Sequence, residues 1–174
     1  NIVGYVPQKA VMFSGSVLSN ITFGKNKHGK PSKERVKAAI RVSQAEEFVS
    51  KLDDKEKAHI AQGGTNVSGG QKQRLSIART IARDPEIYIF DDSFSALDYK
   101  TDSTLRSELK KYTKDATVMI VAQRIGTILN ADKIVVLDNG KCVGIGTHKE
   151  LMKKCKVYKE IALSQVSKEE LENV

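Results

Sequence analysis

The chain has 174 residues, 40% hydrophobic and 29% charged, with a formal charge of +8 at pH 7, which suits one compact domain with a sizeable core. Its apolar runs are too short to cross a bilayer and its N-terminus lacks a signal-peptide pattern, so the fragment is expected to be soluble, with any membrane part elsewhere. The lysines are scattered without interleaved aromatics, which disfavours nucleic acid, and Cys142 and Cys155, with no CxxC spacing, read as reduced cytosolic thiols and not as a zinc site.

In chain order, residues 2–6 read as a buried strand ended by Pro7, which has no N–H for the next ladder bond. A short apolar stretch, 17–23, precedes the glycine- and lysine-rich loop GKNKHGKPS. Ser32 then caps a helix in which Val36, Ala39, Ile40 and Ser43 recur at helical spacing, and helices continue to Leu52. DDKEK is a polar turn. The loop GGTNVSGG leads into a helix with Leu75, Ile77, Ala78 and Ile81 apolar, stopped at Asp84-Pro85.

The second half alternates strand 86–90, helix 101–112, strand 117–122, short helix 124–129 and strand 133–137. Nearly wholly apolar strands separated by helices imply βαβ units in a parallel sheet covered on both faces, hence an α/β fold. Asp138-Asn139-Gly140 is a tight-turn signal that returns 141–145 as an antiparallel strand. Helices at 148–154 and 157–163 precede a charged tail, 165–174.

Two stretches carry chemistry. IYIFDD (87–92) is an apolar strand ending in adjacent carboxylates, and Asp91 at such a strand end suits magnesium, a hard ion that takes oxygen ligands and keeps several waters. In VSGGQ (67–71), Ser68 offers a hydroxyl, Gly69 and Gly70 let backbone approach a ligand, and the helix that starts there turns free amides toward an anion. The plainer alternatives are a strand end followed by an N-cap, and a serine cap with a glycine turn. Neither explains the continuation Gln-Lys-Gln-Arg or the spacing to Asp91.

Together these segments resemble the nucleotide-binding domain of ATP-binding cassette (ABC) transporters of the exporter type. The resemblance runs through VGYVPQKAVMFSGSVLSNITFG (3–24), GGTNVSGGQKQRLSIART (63–80), FDDSFSALD (90–98) and VLDNGKCVGIGTHKEL (136–151). It implies a partial P-loop NTPase fold over 1–164, with a helical subdomain at about 12–84 and the Walker B, D-loop and switch region at 85–164. It implies ATP and Mg2+ as cofactors. Gln8 becomes the Q-loop glutamine, a ligand of magnesium and water, beside Asp91. Ser68, Gly69, Gly70 and Gln71 become the signature that holds the γ-phosphate of ATP bound mainly by an opposite domain, and Asp98 the D-loop aspartate at the interface between domains. The loop at 62–65 falls where exporters contact coupling helices. The implied partners are a second nucleotide-binding domain and transmembrane domains, at the cytoplasmic face of the cell membrane.

Three departures qualify the resemblance. GKNKHGK (24–30) spells G-x-x-x-x-G-K, but Pro31 stands where a P-loop needs a hydroxyl, and the segment follows Gln8 where the family's P-loop precedes it. It is read as a decoy, which places the P-loop upstream of Asn1. Asp92 stands where the family usually has the glutamate that activates water, and Gln123 in VAQR stands at the switch histidine; the first is one methylene short and the second cannot become cationic. These two catalytic positions read as a degenerate site whose intact signature serves a partner's competent site, as in heterodimeric bacterial exporters, and the isolated chain is expected to be inactive. A nucleotide-binding module without turnover and a soluble ABC ATPase acting on DNA remain open; long coiled-coil inserts, expected of the latter, are lacking between Gln8 and Ser68.

Overall fold

The structure, a computed structural model, describes residues 2–24 and 29–165. The middle of the G-x-x-x-x-G-K segment and the charged tail beyond Gln165 lie outside the described residues. The chain divides into two compact units, the first ending at Val121 and the second starting at Ala122.

In the first unit, β1 (Val3–Val6) stops before Pro7 as expected. A two-residue strand β2 (Gly15–Ser16) runs into α1 (Val17–Ile21), whose N-cap Ser16 accepts a hydrogen bond from the Ser19 amide. α2 (Lys33–Val42) starts from Ser32, whose hydroxyl accepts from the Arg35 amide. α3 (Glu46–Ser50) follows. The DDKEK turn contains a 3₁₀ turn at Lys55–Lys57, and β3 (His59–Ile60) pairs antiparallel with β2. α4 (Gly69–Arg83) ends where Asp84 takes a left-handed conformation (φ 50°) before Pro85. β4 (Ile87–Asp91), α5 (Tyr99–Tyr112) and β5 (Thr117–Val121) complete the unit.

The three longer strands form a parallel sheet in the order β1-β4-β5, with Val3 opposite Ile87 and Ile87 opposite Thr117. Side chains alternate between faces along each strand. Val6, Tyr88 and Phe90 point into a core shared with Leu75, Ile77, Ala78 and Ile81 of α4 and Leu105 and Leu109 of α5. The other face carries Val3, Tyr5, Met119 and Val121, all about half exposed. Within this unit the helices among the described residues cover one face of the sheet.

In the second unit, α6 (Ile125–Ile128) leads to β6 (Ile134–Asp138), which pairs antiparallel with β7 (Lys141–Gly146). Asn139 (φ 46°) and Gly140 (φ 76°) both adopt the left-handed region that a two-residue hairpin of matching twist requires. β6 was read as another strand of the parallel sheet; it forms a separate two-stranded sheet with β7 instead. An apolar run identifies a buried strand but not its partner. α7 (His148–Lys154) opens on a capping box between Thr147 and Glu150, and α8 (Lys156–Gln165) follows. Ile125, Ile134, Val136, Leu151, Cys155, Tyr158 and Ala162 form this unit's core. His148 is buried there, its Nδ1 2.9 Å from the Tyr158 hydroxyl.

Candidate functional site

The N-terminus of α4 is built by its first residues. Ser68 is extended (φ −69°, ψ 163°), its hydroxyl oxygen accepts from the Gln71 amide at 3.3 Å, and the Gln71 Oε1 accepts from the Ser68 amide at 2.9 Å. This capping box uses acceptor oxygens only, so the Ser68 O–H and the Gln71 side-chain NH2 keep their donor capacity. The serine-cap reading and the phosphate-binding reading thus coexist in one geometry. The two glycines differ. A side chain at Gly69 would meet nothing within 4 Å, whereas one at Gly70 would lie 3.3 Å from the Ala96 carbonyl oxygen. Gly70 lets the backbone at Ala96 approach the helix; Gly69 leaves the open side.

Behind this terminus, Arg74 donates to the Gln44 carbonyl at 2.7 Å and lies 4.9 Å over the Phe48 ring, and burial lowers its pKa. Gln73, buried on the same helix, donates from Nε2 to the Pro7 carbonyl at 3.1 Å. That bond ties α4 to the segment just before Gln8, and sequence reasoning missed it. Its signal was a polar residue three positions from Gly70 and four from Ile77, on the apolar face.

Asp98 caps α5, which begins at Tyr99, two residues earlier than expected. Its Oδ2 accepts from the Thr101 hydroxyl at 2.7 Å and its Oδ1 from the Thr101 amide at 3.0 Å. These two bonds hold its carboxyl below the usual aspartate value. Asp98 is exposed.

Asp91 and Asp92 close β4, and each is held by a side chain from the β1 segment. The Tyr5 hydroxyl donates to Asp91 Oδ2 at 2.7 Å, and Gln8 Nε2 donates to Asp92 Oδ2 at 3.0 Å. The bond to Asp91 raises the Tyr5 phenol above its ordinary value, with slight desolvation adding to it. Asp92 has φ 44°, its amide donates to the Val121 carbonyl at 2.9 Å, and its own carbonyl accepts from the Ser95 hydroxyl at 2.8 Å. Ser93, buried between them, donates to the Val6 carbonyl at 2.8 Å. The strand end is therefore fixed on both sides.

No three His, Cys, Asp or Glu residues gather into a metal-holding group among the described residues. Magnesium does not require one: it is commonly bound through one or two carboxylates plus substrate phosphates and water. Asp91 fits that pattern, since among the described residues only its Oδ2 is taken up by a side-chain bond. Gln8, the other expected ligand, is held by its Nε2 against Asp92 and not against Asp91. Gln123 is exposed in the second unit, where its carbonyl accepts from Gln165 Nε2 at 2.8 Å while Gln165 Oε1 accepts from the Ile125 amide at 2.9 Å.

A further cluster escaped the sequence reading. Phe13 and Phe23 stack at 4.1 Å between centroids, Arg79 lies over both, and its guanidinium donates to the Asn20 and Val11 carbonyls. Burial lowers the Arg79 pKa to about 10. These contacts fix the loop after Gln8 to the middle of α4.

Known proteins resemble this chain over nearly its whole length. An uncharacterized ABC transporter ATP-binding protein of Mycobacterium tuberculosis H37Rv is 45% identical over 163 residues, which is 94% of this chain and 28% of that protein. One from Bacillus subtilis is 40% identical over 167 residues, 96% of this chain and 28% of the other. The solved structure of a bacterial Atm1-family ABC exporter with ATP bound superposes with a TM-score of 0.87 at 32% identity, covering 94% of this chain and 28% of that one. The chain thus spans a little over a quarter of the length of these relatives. No helix among the described residues is long and apolar enough to cross a membrane. Residues 1–95 match the sequence profile described as ABC transporter, a span that contains Gln8, the capped N-terminus of α4 and both strand-end carboxylates: the chain belongs to the ABC transporter family.

Proposed function

We propose that this chain is the C-terminal portion of the ATP-binding domain of an ABC exporter, with residues of about 12–84 forming its helical subdomain. In the whole protein, ATP binding and hydrolysis would drive export of a substrate through transmembrane domains, with this domain at the cytoplasmic face of the cell membrane. The observation that carries the reading is the end of β4, where Asp91 and Asp92 are fixed from the segment that supplies Gln8. The P-loop that completes the site would lie upstream of Asn1. Two features support that placement: β5 is an edge of the parallel sheet among the described residues, and the face bearing Tyr5, Met119 and Val121 is exposed. A further strand and a covering helix fit there.

Asp91 and Gln8 would hold Mg2+, which when bound neutralises phosphate charge. Asp92 would orient water, but its carboxylate is one methylene short of the family's usual glutamate. A misplacement of about 1 Å can cost on the order of a hundredfold in rate. Gln123 can donate a hydrogen bond to a phosphate but cannot carry the charge or relay a proton as imidazole does. Ser68, Gly69, Gly70 and Gln71 would face nucleotide on a second ATP-binding domain across an interface that includes Asp98. The pairing is then heterodimeric: a retentive site on this chain's carboxylates and a competent one completed by its signature.

Nucleotide titration tests the site assignment. The isolated chain, without a P-loop, binds ATP no better than weakly and shows no steady hydrolysis, whereas the chain extended upstream through the P-loop binds it. Micromolar affinity in the isolated chain contradicts the reading.

A further inference from the structure

We propose that Tyr5 is a positioning residue for the Asp91 carboxylate: its phenol fixes which carboxylate oxygen is presented to a divalent cation. The inference rests on the reading of Asp91 as the metal-binding carboxylate and assigns a role to a residue outside that set.

The placement follows from the ladder. Tyr5 lies opposite Ile89 in the parallel β1–β4 pair, so Asp91, two residues on, shares its face of the sheet. A diagonal neighbour of this kind is within reach of an aromatic side chain and out of reach of a short one. The O–H···O distance of 2.7 Å is in the range of a charge-assisted bond to a carboxylate.

A carboxylate is free to turn about its Cβ–Cγ bond, and magnesium demands near-ideal octahedral placement of its oxygens. With Oδ2 pinned by Tyr5, Oδ1 of Asp91 has a set direction. The adjacent Asp92 is held separately by Gln8, three residues after Tyr5. The two carboxylates, which would otherwise compete for one cation or one donor, are assigned distinct partners by a single short segment. A displacement of that segment would reorient both together.

The test uses the complete exporter, with Mn2+ as a paramagnetic substitute for Mg2+. Mn2+ affinity in the presence of ATP is measured by electron paramagnetic resonance for the native protein, Tyr5→Phe and Asp91→Asn. ATP affinity in excess chelator and the melting midpoint without nucleotide are measured alongside. Loss of an outer-shell partner typically weakens metal binding 10- to 100-fold. Tyr5→Phe is expected to weaken Mn2+ by about tenfold while metal-free ATP affinity and the melting midpoint stay native. Native Mn2+ affinity in Tyr5→Phe, with one of the exporter's two Mn2+ sites lost in Asp91→Asn, overturns the positioning role alone. Native Mn2+ affinity in Asp91→Asn overturns the metal-site reading beneath it. A fall in metal-free ATP affinity and melting midpoint that accounts for the Mn2+ loss in Tyr5→Phe also overturns the proposal, because the hydroxyl would then be structural.

Discussion

Gly4 sits in β1 where the strand crosses the end of α4, and its replacement by alanine gives a magnitude that the geometry decides. The added Cβ would stand 2.6 Å from the Thr80 Cγ2 and 2.6 Å from the Pro85 Cγ, against an ordinary contact beginning at 3.4 Å. Relief needs a shift of roughly 0.8 Å in two directions, and neither neighbour yields easily: Thr80 is β-branched and 4% exposed, and Pro85 is a buried ring. Overpacking of this kind costs about 1–3 kcal/mol. Removing a strand glycine returns about 0.5–1 kcal/mol through the unfolded chain. Taken from the middle of both ranges, the net expectation is a destabilisation of about 1.3 kcal/mol in urea denaturation followed by circular dichroism, a suitable probe because the chain has no tryptophan. Thr80→Ser removes the methyl that makes one of the two clashing contacts, so the double variant should cost less than the sum of the singles. A neutral or stabilising Gly4→Ala, or strict additivity with Thr80→Ser, would refute the reasoning.

Two further expectations concern charge. In α5, Arg106 donates from Nε and Nη2 to the two oxygens of Asp102 at 2.9 and 3.1 Å, and Asp102 is 4% exposed. Arg106→Met leaves that carboxylate buried without its main partner and should cost about 2 kcal/mol in the same denaturation assay; a change under about 0.5 kcal/mol would place the pair among ordinary surface ion pairs. Asp98 and Glu150 both have lowered carboxyl pKa values, from the Thr101 hydroxyl and the Thr147 amide respectively. Their contributions are fully present above the unfolded values near about 4 and are lost as pH falls through the lowered native values. Melting curves from pH 6 down to pH 3 should therefore show a fall in midpoint concentrated below about pH 4.5 that Asp98→Asn reduces. An acid limb unchanged by that substitution contradicts the assignment.

Features set by neighbours in sequence were legible. The caps at Ser32 and Ser68 and the hairpin turn at Asn139-Gly140 depend on residues within three positions and stand where the spacing put them. Pairings were less so. Nothing in the apolar run of β6 distinguishes a parallel neighbour from β7, and the two-residue strands β2 and β3 are too short to leave a period. For the candidate site, the resemblance supplied residue expectations, while the contacts that hold those residues left no signal in the sequence. Tyr5 reaches Asp91 across 86 positions and Gln73 reaches Pro7 across 66, distances at which spacing carries no signal. Nor does spacing show that a side chain at Gly70 would crowd the Ala96 carbonyl.

ATP turnover of the complete two-domain exporter tests the central claim, that this chain's signature and its strand-end carboxylates belong to two different sites. The account predicts that Ser68→Ala lowers turnover by about tenfold or more, because it strips a donor from the competent site, as loss of one aligned donor commonly does. It predicts that Asp92→Glu combined with Gln123→His raises turnover by restoring hydrolysis at the retentive site. Turnover unchanged by Ser68→Ala and equally unchanged by the double substitution would contradict it.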